Sequence, residues 1–188
     1  CDAGESDTFT AGSNAPDGGT PDGGTGDDGS DDDDDGFTNV EEAEAGTNPD
    51  YVYSHPYTGG YNVGFCNTPP EPTGPTGTGR NEAGVTWAAY DVGDVVENWT
   101  MTDQYGELVD LYSFCGKHIV VAFSAGWCPP CRAAAEEMQN LQDEYRDQDV
   151  QFIEVLTGDN ADDLPSIDFL MSWHEEYGFT DIPVLLPP

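Results

Sequence analysis

Basic residues are almost absent from this chain. Its 188 residues carry 38 Asp and Glu but only Arg80, Lys117, Arg132 and Arg146 as cations, for a formal net charge of −34. Such a surface repels phosphate backbones, so a nucleic-acid partner is excluded. Acids persist in the more apolar half (Glu136, Glu137, Asp143, Glu144), which points to a solvated surface serving solubility or salt adaptation. Long apolar runs are missing as well: there is no stretch of about 18 apolar residues, the length a membrane-spanning helix needs. Aliphatic side chains are scarce at the front, where residues 1–50 contain Val40 and no Ile, Leu or Met. A segment that poor in apolar surface cannot offset the entropy lost on ordering.

What is present is graded along the chain. Residues 1–36 are a Gly, Asp, Ser, Thr and Pro tract and read as a disordered, self-repelling acidic tether. Residues 37–85 are rich in Tyr, Pro and Gly ("NPDYVYSHPYTGGYNVGFCNTPP") and read as a wrap over a folded domain or a linker, with "EPTGPTGTGR" as a second spacer. Residues 86–188 hold most of the Val, Leu, Ile, Trp and Phe and form the expected domain. There, "NWTMTDQYGELVDL" alternates around a turn at Tyr105-Gly106, the pattern of a β-hairpin. "HIVVAF" (118–123) and "VQFIEVL" (150–156) are short apolar runs that suit buried strands. Residues 131–147 read as a helix whose apolar stripe is Ala134, Met138, Leu141 and Tyr145. A second helix covers "SIDFLMSWHEEYGF", entered through Asp162, Asp163 and Pro165. Strand, helix, strand, helix implies an α/β fold with parallel strands and a right-handed crossover.

The cysteine pair in "FSAGWCPPCR" lies between the first buried strand and the first of these helices. That position puts Cys128 at a helix N-terminus, where free N–H groups and the helix dipole favour thiolate over thiol. Cys131, one turn in, is placed to resolve a mixed disulfide formed on Cys128. Pro129 and Pro130 stiffen the turn and remove two N–H donors, which tempers the fall in thiol pKa. Trp127, with the two prolines, shapes the surface that a substrate meets. A zinc site would need two more ligands, and Cys66, Cys115, His55, His118 and His174 are scattered. A purely structural staple seldom sits between a buried strand and a helix start. A peroxiredoxin needs Pro-x-x-x-Thr/Ser-x-x-Cys, which Ser124-Ala125-Gly126-Trp127-Cys128 does not supply.

A second motif lies in the aspartate run. Asp31, Asp33, Asp35, Gly36 and Glu42 match D-x-[DN]-x-[DN]-G-x5-E. In a calcium loop of the EF-hand type, the Phe37 carbonyl and Asn39 would take the seventh and ninth positions. Any Asp run matches half of that pattern, but Glu42 does not belong to the run. The following "EEAEAGTNPD" also resembles bacterial calcium-binding repeats, which implies a bound calcium ion.

"MTDQYGELVDLYSFCGKHIVVAFSAGWCPPCR" resembles the thioredoxin-like proteins of the TlpA/ResA type. The matching residues are Gly106, Val109, Leu111, Phe114, Gly116, Lys117, Phe123, Ala125, Trp127, Cys128, Pro130, Cys131 and Arg132. The resemblance implies a thioredoxin-like fold and extracytoplasmic thiol–disulfide exchange, with Cys128 as nucleophile and Cys131 as resolving thiol. No cofactor is needed for that chemistry, and the partners are protein thiols or disulfides and a redox partner. Two acids that such proteins use to relay protons are replaced by Ala122 and Ala134. "WHEEYGFTDIPVLLPP" is similar to the segment before the family's cis-proline strand. Pro183 is therefore not expected to be that proline, and the fold is expected to stop before its last two strands and helix. A Cys at position 1 followed by a polar tether is similar to a mature bacterial lipoprotein, which implies a lipid on Cys1 and anchoring in the cell envelope. Cys66 and Cys115 remain, and an oxidising compartment would let them pair. A second reading is a calcium-stabilised surface or adaptor protein whose domain does not catalyse.

Overall fold

A computed structural model describes residues 29–187; most of the tether, Cys1 included, lies outside the described residues. The apolar runs make the central sheet. β5 (His118–Ala125) and β6 (Val150–Gly158) pair in parallel, from His118 opposite Val150 to Ala125 opposite Gly158. The short β7 (Val184–Leu185) adds in parallel to the other edge of β6, giving the order β5-β6-β7. Helix α2 (Pro129–Tyr145) joins β5 to β6, and α3 (Ile167–Tyr177) joins β6 to β7. Ser166 caps α3 by accepting from the Phe169 N–H, and Gly178 ends it in the left-handed conformation.

Both helices lie on one face of the sheet. There Ala135 and Met138 of α2, Leu170 and Trp173 of α3, and Leu156 and Val184 of the strands form one buried cluster. The helical stripe is displaced from the sequence reading: Ala135, Met138 and Gln142 are buried, while Ala134 is exposed and Leu141 and Tyr145 remain 39% and 37% exposed. Gln142 belongs inward because its amide accepts from the Phe152 N–H at 2.7 Å and donates to the Val150 carbonyl at 3.2 Å.

The other face buries Ile153, Val155 and Leu185 against Val109, Phe114, Tyr57 and Tyr61. Val109 comes from the hairpin read in the sequence, β3 (Thr100–Thr102) with β4 (Leu108–Asp110), whose turn needs Gly106 at φ 83°. Tyr57 and Tyr61 come from the Tyr-rich segment, which crosses this face as a wrap. The Tyr57 hydroxyl meets Ser113 Oγ at 2.7 Å, and the Tyr61 hydroxyl donates to buried Asp103 at 2.6 Å. The Asn62 N–H donates to Gln151 on β6 at 2.9 Å.

Three further points differ from the sequence reading. The supposed spacer is half of a hairpin, β1 (Gly77–Arg80) with β2 (Thr86–Ala89). A short helix, α1 (Asn39–Ala45), follows the aspartate run, closed by a capping box between Thr38 and Glu41. Residues 31–36, assigned by composition to the tether, are set in turns that lead into α1. Pro183 precedes β7 on the side of β6 away from β5, and among the described residues its peptide bond is trans. Among the described residues β5 pairs with β6 alone, and Phe123 on it is 67% exposed.

Candidate active site

β5 hands the chain to α2 through Gly126, whose N–H donates to the Gly158 carbonyl at 2.9 Å. Only glycine fits here, because a Cβ would lie 2.7 Å from both Asn160 Oδ1 and the Phe169 ring. Cys128 is the N-cap of α2, extended at φ −93° and ψ 103°, with prolines at the first two helical positions. Proline suits that place because its fixed φ is already helical and the N–H it lacks has no helical partner there. The Cys131 and Arg132 N–H groups both donate to the Cys128 carbonyl at 3.1 Å.

Cys128 and Cys131 are joined as a disulfide with Cα atoms 5.3 Å apart. Both are half-buried, whereas Trp127, Pro129 and Pro130 are exposed around them. The five motif residues are therefore contiguous at the surface, with the two cysteines the less exposed members. Trp127 is held rather than free: its indole N–H donates to Asp162 Oδ1 at 2.6 Å, from the β6–α3 loop.

Arg132 supports the patch from beneath. Its Nε donates to the Gly126 carbonyl at 2.7 Å, Nη2 to Asn160 Oδ1 at 2.8 Å, and Nη1 to Glu176 at 2.8 Å and the Tyr177 hydroxyl at 3.0 Å. Its guanidinium also lies 5.3 Å over the Trp173 ring. A planar fork of donors can serve several acceptors at once, which lysine cannot. Sequence reading matched Arg132 to a family pattern but had no means of finding this role, since its partners lie on a distant loop and on α3.

The aspartate run forms a second cluster. Each carboxylate spends one oxygen on the loop: Asp31 Oδ2 accepts from the Gly36 N–H, Asp33 Oδ1 from Asp35, and Asp35 Oδ1 from Phe37. The other oxygen of each is buried without a hydrogen-bond partner, and so is Oε2 of Glu42, a residue with no exposure at all. Oxygens of the three aspartates converge within 4.8 Å of one another. Burial, then the charges of Asp35 and Asp33, push the Glu42 carboxyl up to about 7. The three converging aspartate oxygens, with the buried Glu42 carboxylate beside them, are a donor set for a hard divalent cation. Asn39 departs from the sequence expectation, because its Oδ1 accepts from the Asp32 N–H at 3.0 Å. The Phe37 ring stacks on His55 at 5.2 Å.

Cys66 and Cys115 form a disulfide with Cα atoms 6.0 Å apart, tying the Tyr-rich wrap to the turn before β5. They offer no thiolate to a metal, and His174 is engaged with Gln104 and Tyr105 at 3.3 Å each. Among the described residues, no cysteines and histidines come together in the cluster that a zinc site needs. No helix among the described residues is long and apolar enough to cross a membrane.

A family model described as AhpC/TSA family matches residues 92–186, from the approach to the hairpin through β7. The chain belongs to the AhpC/TSA family. Relatives include the thiol-disulfide oxidoreductase ResA of Bacillus thuringiensis subsp. konkukian, 31% identical over 72 residues (38% of this chain and 41% of that protein). ResA of Halalkalibacterium halodurans is 33% identical over 63 residues, 34% of this chain and 36% of that protein. The chain thus spans well under half the length of these relatives. Among solved structures, a putative thiol:disulfide interchange protein DsbE from Chlorobium tepidum aligns with 24% identity and a TM-score of 0.43, covering 52% of this chain and 64% of that one. A putative protein disulfide isomerase from Bacteroides thetaiotaomicron aligns at 23% and 0.42, covering 52% and 58%.

Proposed function

We propose that this family member exchanges thiols and disulfides with protein partners outside the cytoplasm through Cys128 and Cys131. The observation that carries the reading is the Cys128–Cys131 disulfide, sited where a parallel strand enters a helix N-terminus. Relatives named thiol-disulfide oxidoreductase support it. In the reducing direction the Cys128 thiolate attacks a substrate disulfide, breaking its S–S bond and releasing one substrate thiolate. Cys131, as thiolate, then attacks Cys128 Sγ. The mixed disulfide breaks, the second substrate thiolate leaves, and two electrons have passed from the dithiol to the substrate. A dithiol redox partner returns the chain to its reduced form. The same steps run backwards oxidise a substrate dithiol. Trp127, Pro129 and Pro130 form the wall against which the substrate backbone lies.

The Cys66–Cys115 bridge supports an oxidising compartment. A lipid on Cys1, with residues 1–28 as spacer, would hold the domain at the envelope surface; mass spectrometry of the N-terminal peptide from cells tests this. We assign the loop of Asp31, Asp33, Asp35 and Glu42 to calcium, as a structural ion that anchors the wrap and takes no part in the redox steps. The Phe37 carbonyl would complete the set.

Insulin reduction driven by dithiothreitol tests the central claim. The wild-type chain is expected to precipitate insulin B chain, and Cys128→Ser to lose this entirely. Cys131→Ser is expected to accumulate a mixed disulfide that survives non-reducing electrophoresis. A wild-type chain no faster than dithiothreitol alone overturns the proposal.

A further inference from the structure

Glu154 is a buried acid in the middle of β6. It has no exposure, and neither carboxylate oxygen makes a hydrogen bond of standard geometry. The Ser124 hydroxyl lies beside it and favours the ionised form, against the larger effect of burial. Orphaned buried oxygens cost about 1–3 kcal/mol each, and the neighbours on this face, Phe152 and Leu156, are apolar. A Leu or Val would fill the same space at less cost.

Its position gives the acid a use. Ala122 on β5 is the register partner of Glu154, and side chains of paired residues share a face. That face is the one α2 covers. The inward stripe of α2 runs Cys131, Ala135, Met138, Gln142, at spacings of four, three and four. Gln142 fixes the offset between helix and strand: its amide reaches both the Val150 carbonyl and the Phe152 N–H, which sets it level with Gln151. With a rise of about 1.5 Å per helical residue and about 3.3 Å per strand residue, the three strand residues from Gln151 to Glu154 match roughly six or seven helical residues, so Glu154 comes under the Ala135 turn, one turn from Cys131. A span of that size is bridged by one water molecule.

We infer that Glu154 accepts the proton of the resolving thiol, Cys131, and so does from the neighbouring strand what Ala122 cannot do from β5. The inference rests on the redox reading of Cys128 and Cys131 given above. In the resolving step the Cys131 S–H bond breaks, its proton passes to the Glu154 carboxylate, and the thiolate attacks Cys128 Sγ. The substrate thiolate leaves, and the carboxylic acid later returns its proton to water. Burial pushes the Glu154 carboxyl up to about 7, where it can take and release a proton near neutrality. The titratable or charged groups on the elements packed against this face are the Cys131 thiol and the Arg132 guanidinium on α2, His174 and the Tyr177 phenol on α3, and buried Asp181 before β7, which is hydrogen-bonded to Gln139 and paired with Arg146. Arg132 is occupied with Glu176 and Tyr177, and β7 contributes only Val184.

The test uses the reduced full chain and an aromatic disulfide that releases a coloured thiolate. The first release reports attack by Cys128, the second resolution by Cys131. Glu154→Gln is expected to leave the first rate unchanged and slow the second about a hundredfold near pH 7. The deficit should close towards alkaline pH, where Cys131 ionises unaided, and Glu154→Asp should recover part of the loss. A second release with wild-type rate and pH profile overturns the inference, as does an equal slowing of both releases. In the wild-type chain, the infrared band of the protonated acid should titrate with different midpoints in the disulfide and dithiol forms. Equal midpoints also overturn it, whether or not the variants fold. If the wild-type chain gives neither release, the redox reading itself fails; if only the Glu154 variants behave as wild type, that reading stands and this one falls.

Discussion

Glu42 couples the aspartate loop to pH. Its carboxyl is raised above its ordinary value, so the metal-free folded chain holds this proton more tightly than the unfolded chain. Stability should then fall as pH rises through the window between about 4.5 and about 7. Glu154, raised by its burial, adds to the same slope. A cation favours the ionised loop and removes the Glu42 share. We expect the melting temperature in chelator to drop between about pH 5 and about pH 7.5, and millimolar calcium to recover part of the drop. Glu42→Gln should abolish the calcium response. Identical melts with and without calcium would remove the ion from the loop. Arg132 gives a second residue-scale prediction: Arg132→Lys loses the planar fork and should cost about 1–2 kcal/mol in denaturant unfolding. Retention of wild-type stability would mean that the loop before Cys128 is held by Gly126 and Trp127 alone. The sequence exposed some of these residues and hid others for a physical reason. Cys128, Cys131 and the spaced acids are readable because local geometry, a strand end or a loop pattern, sets their chemistry. Glu154 and Arg132 act through partners that only the finished sheet and the β6–α3 loop bring near.

At the scale of elements, long periodic segments were legible and short polar ones were not. β5, β6, α3 and the β3–β4 hairpin lie close to where apolar runs, caps and the Gly106 turn put them. The inward face of α2 was misread because Gln142 is polar: periodicity favours Leu141, whereas hydrogen bonds to β6 decide for Gln142. α1 buries Glu42 and leaves Val40 43% exposed, so hydrophobic patterning could not find it, although Thr38 and Glu41 carry its capping box. Between Tyr51 and Cys66 the wrap has only Val52 and Val63 as aliphatic residues, and the Cys66–Cys115 bridge closes a loop with a sequence separation of 49. Removing that bridge by Cys66→Ser with Cys115→Ser should lower stability by about 3–4 kcal/mol in the chain-entropy model. Hydrogen exchange should then rise first around Tyr57 and Tyr61. An unfolding midpoint unchanged by the double substitution would show the wrap to be held by its tyrosines alone.

For the whole molecule the dominant fact is its charge of −34. Self-repulsion of that size opposes the compact state and is screened by salt. The urea midpoint should rise between about 0.02 and about 0.5 M NaCl, the opposite of what a fold held by surface ion pairs would show; a falling midpoint would contradict this. Charge also bears on partners, since the rim of the redox patch includes Asp162 and Glu176 with Arg132 drawn inward. The two disulfides sit at opposite ends of the same eight-residue strand, Cys115 three positions before His118 and Cys128 three positions after Ala125. A strand of that length separates them by about 25 Å, too far for one sulfur to reach the other. β5 is thus an insulator as well as a scaffold. The exchangeable bond can be opened and closed many times without passing its electrons to the bond that holds the wrap in place.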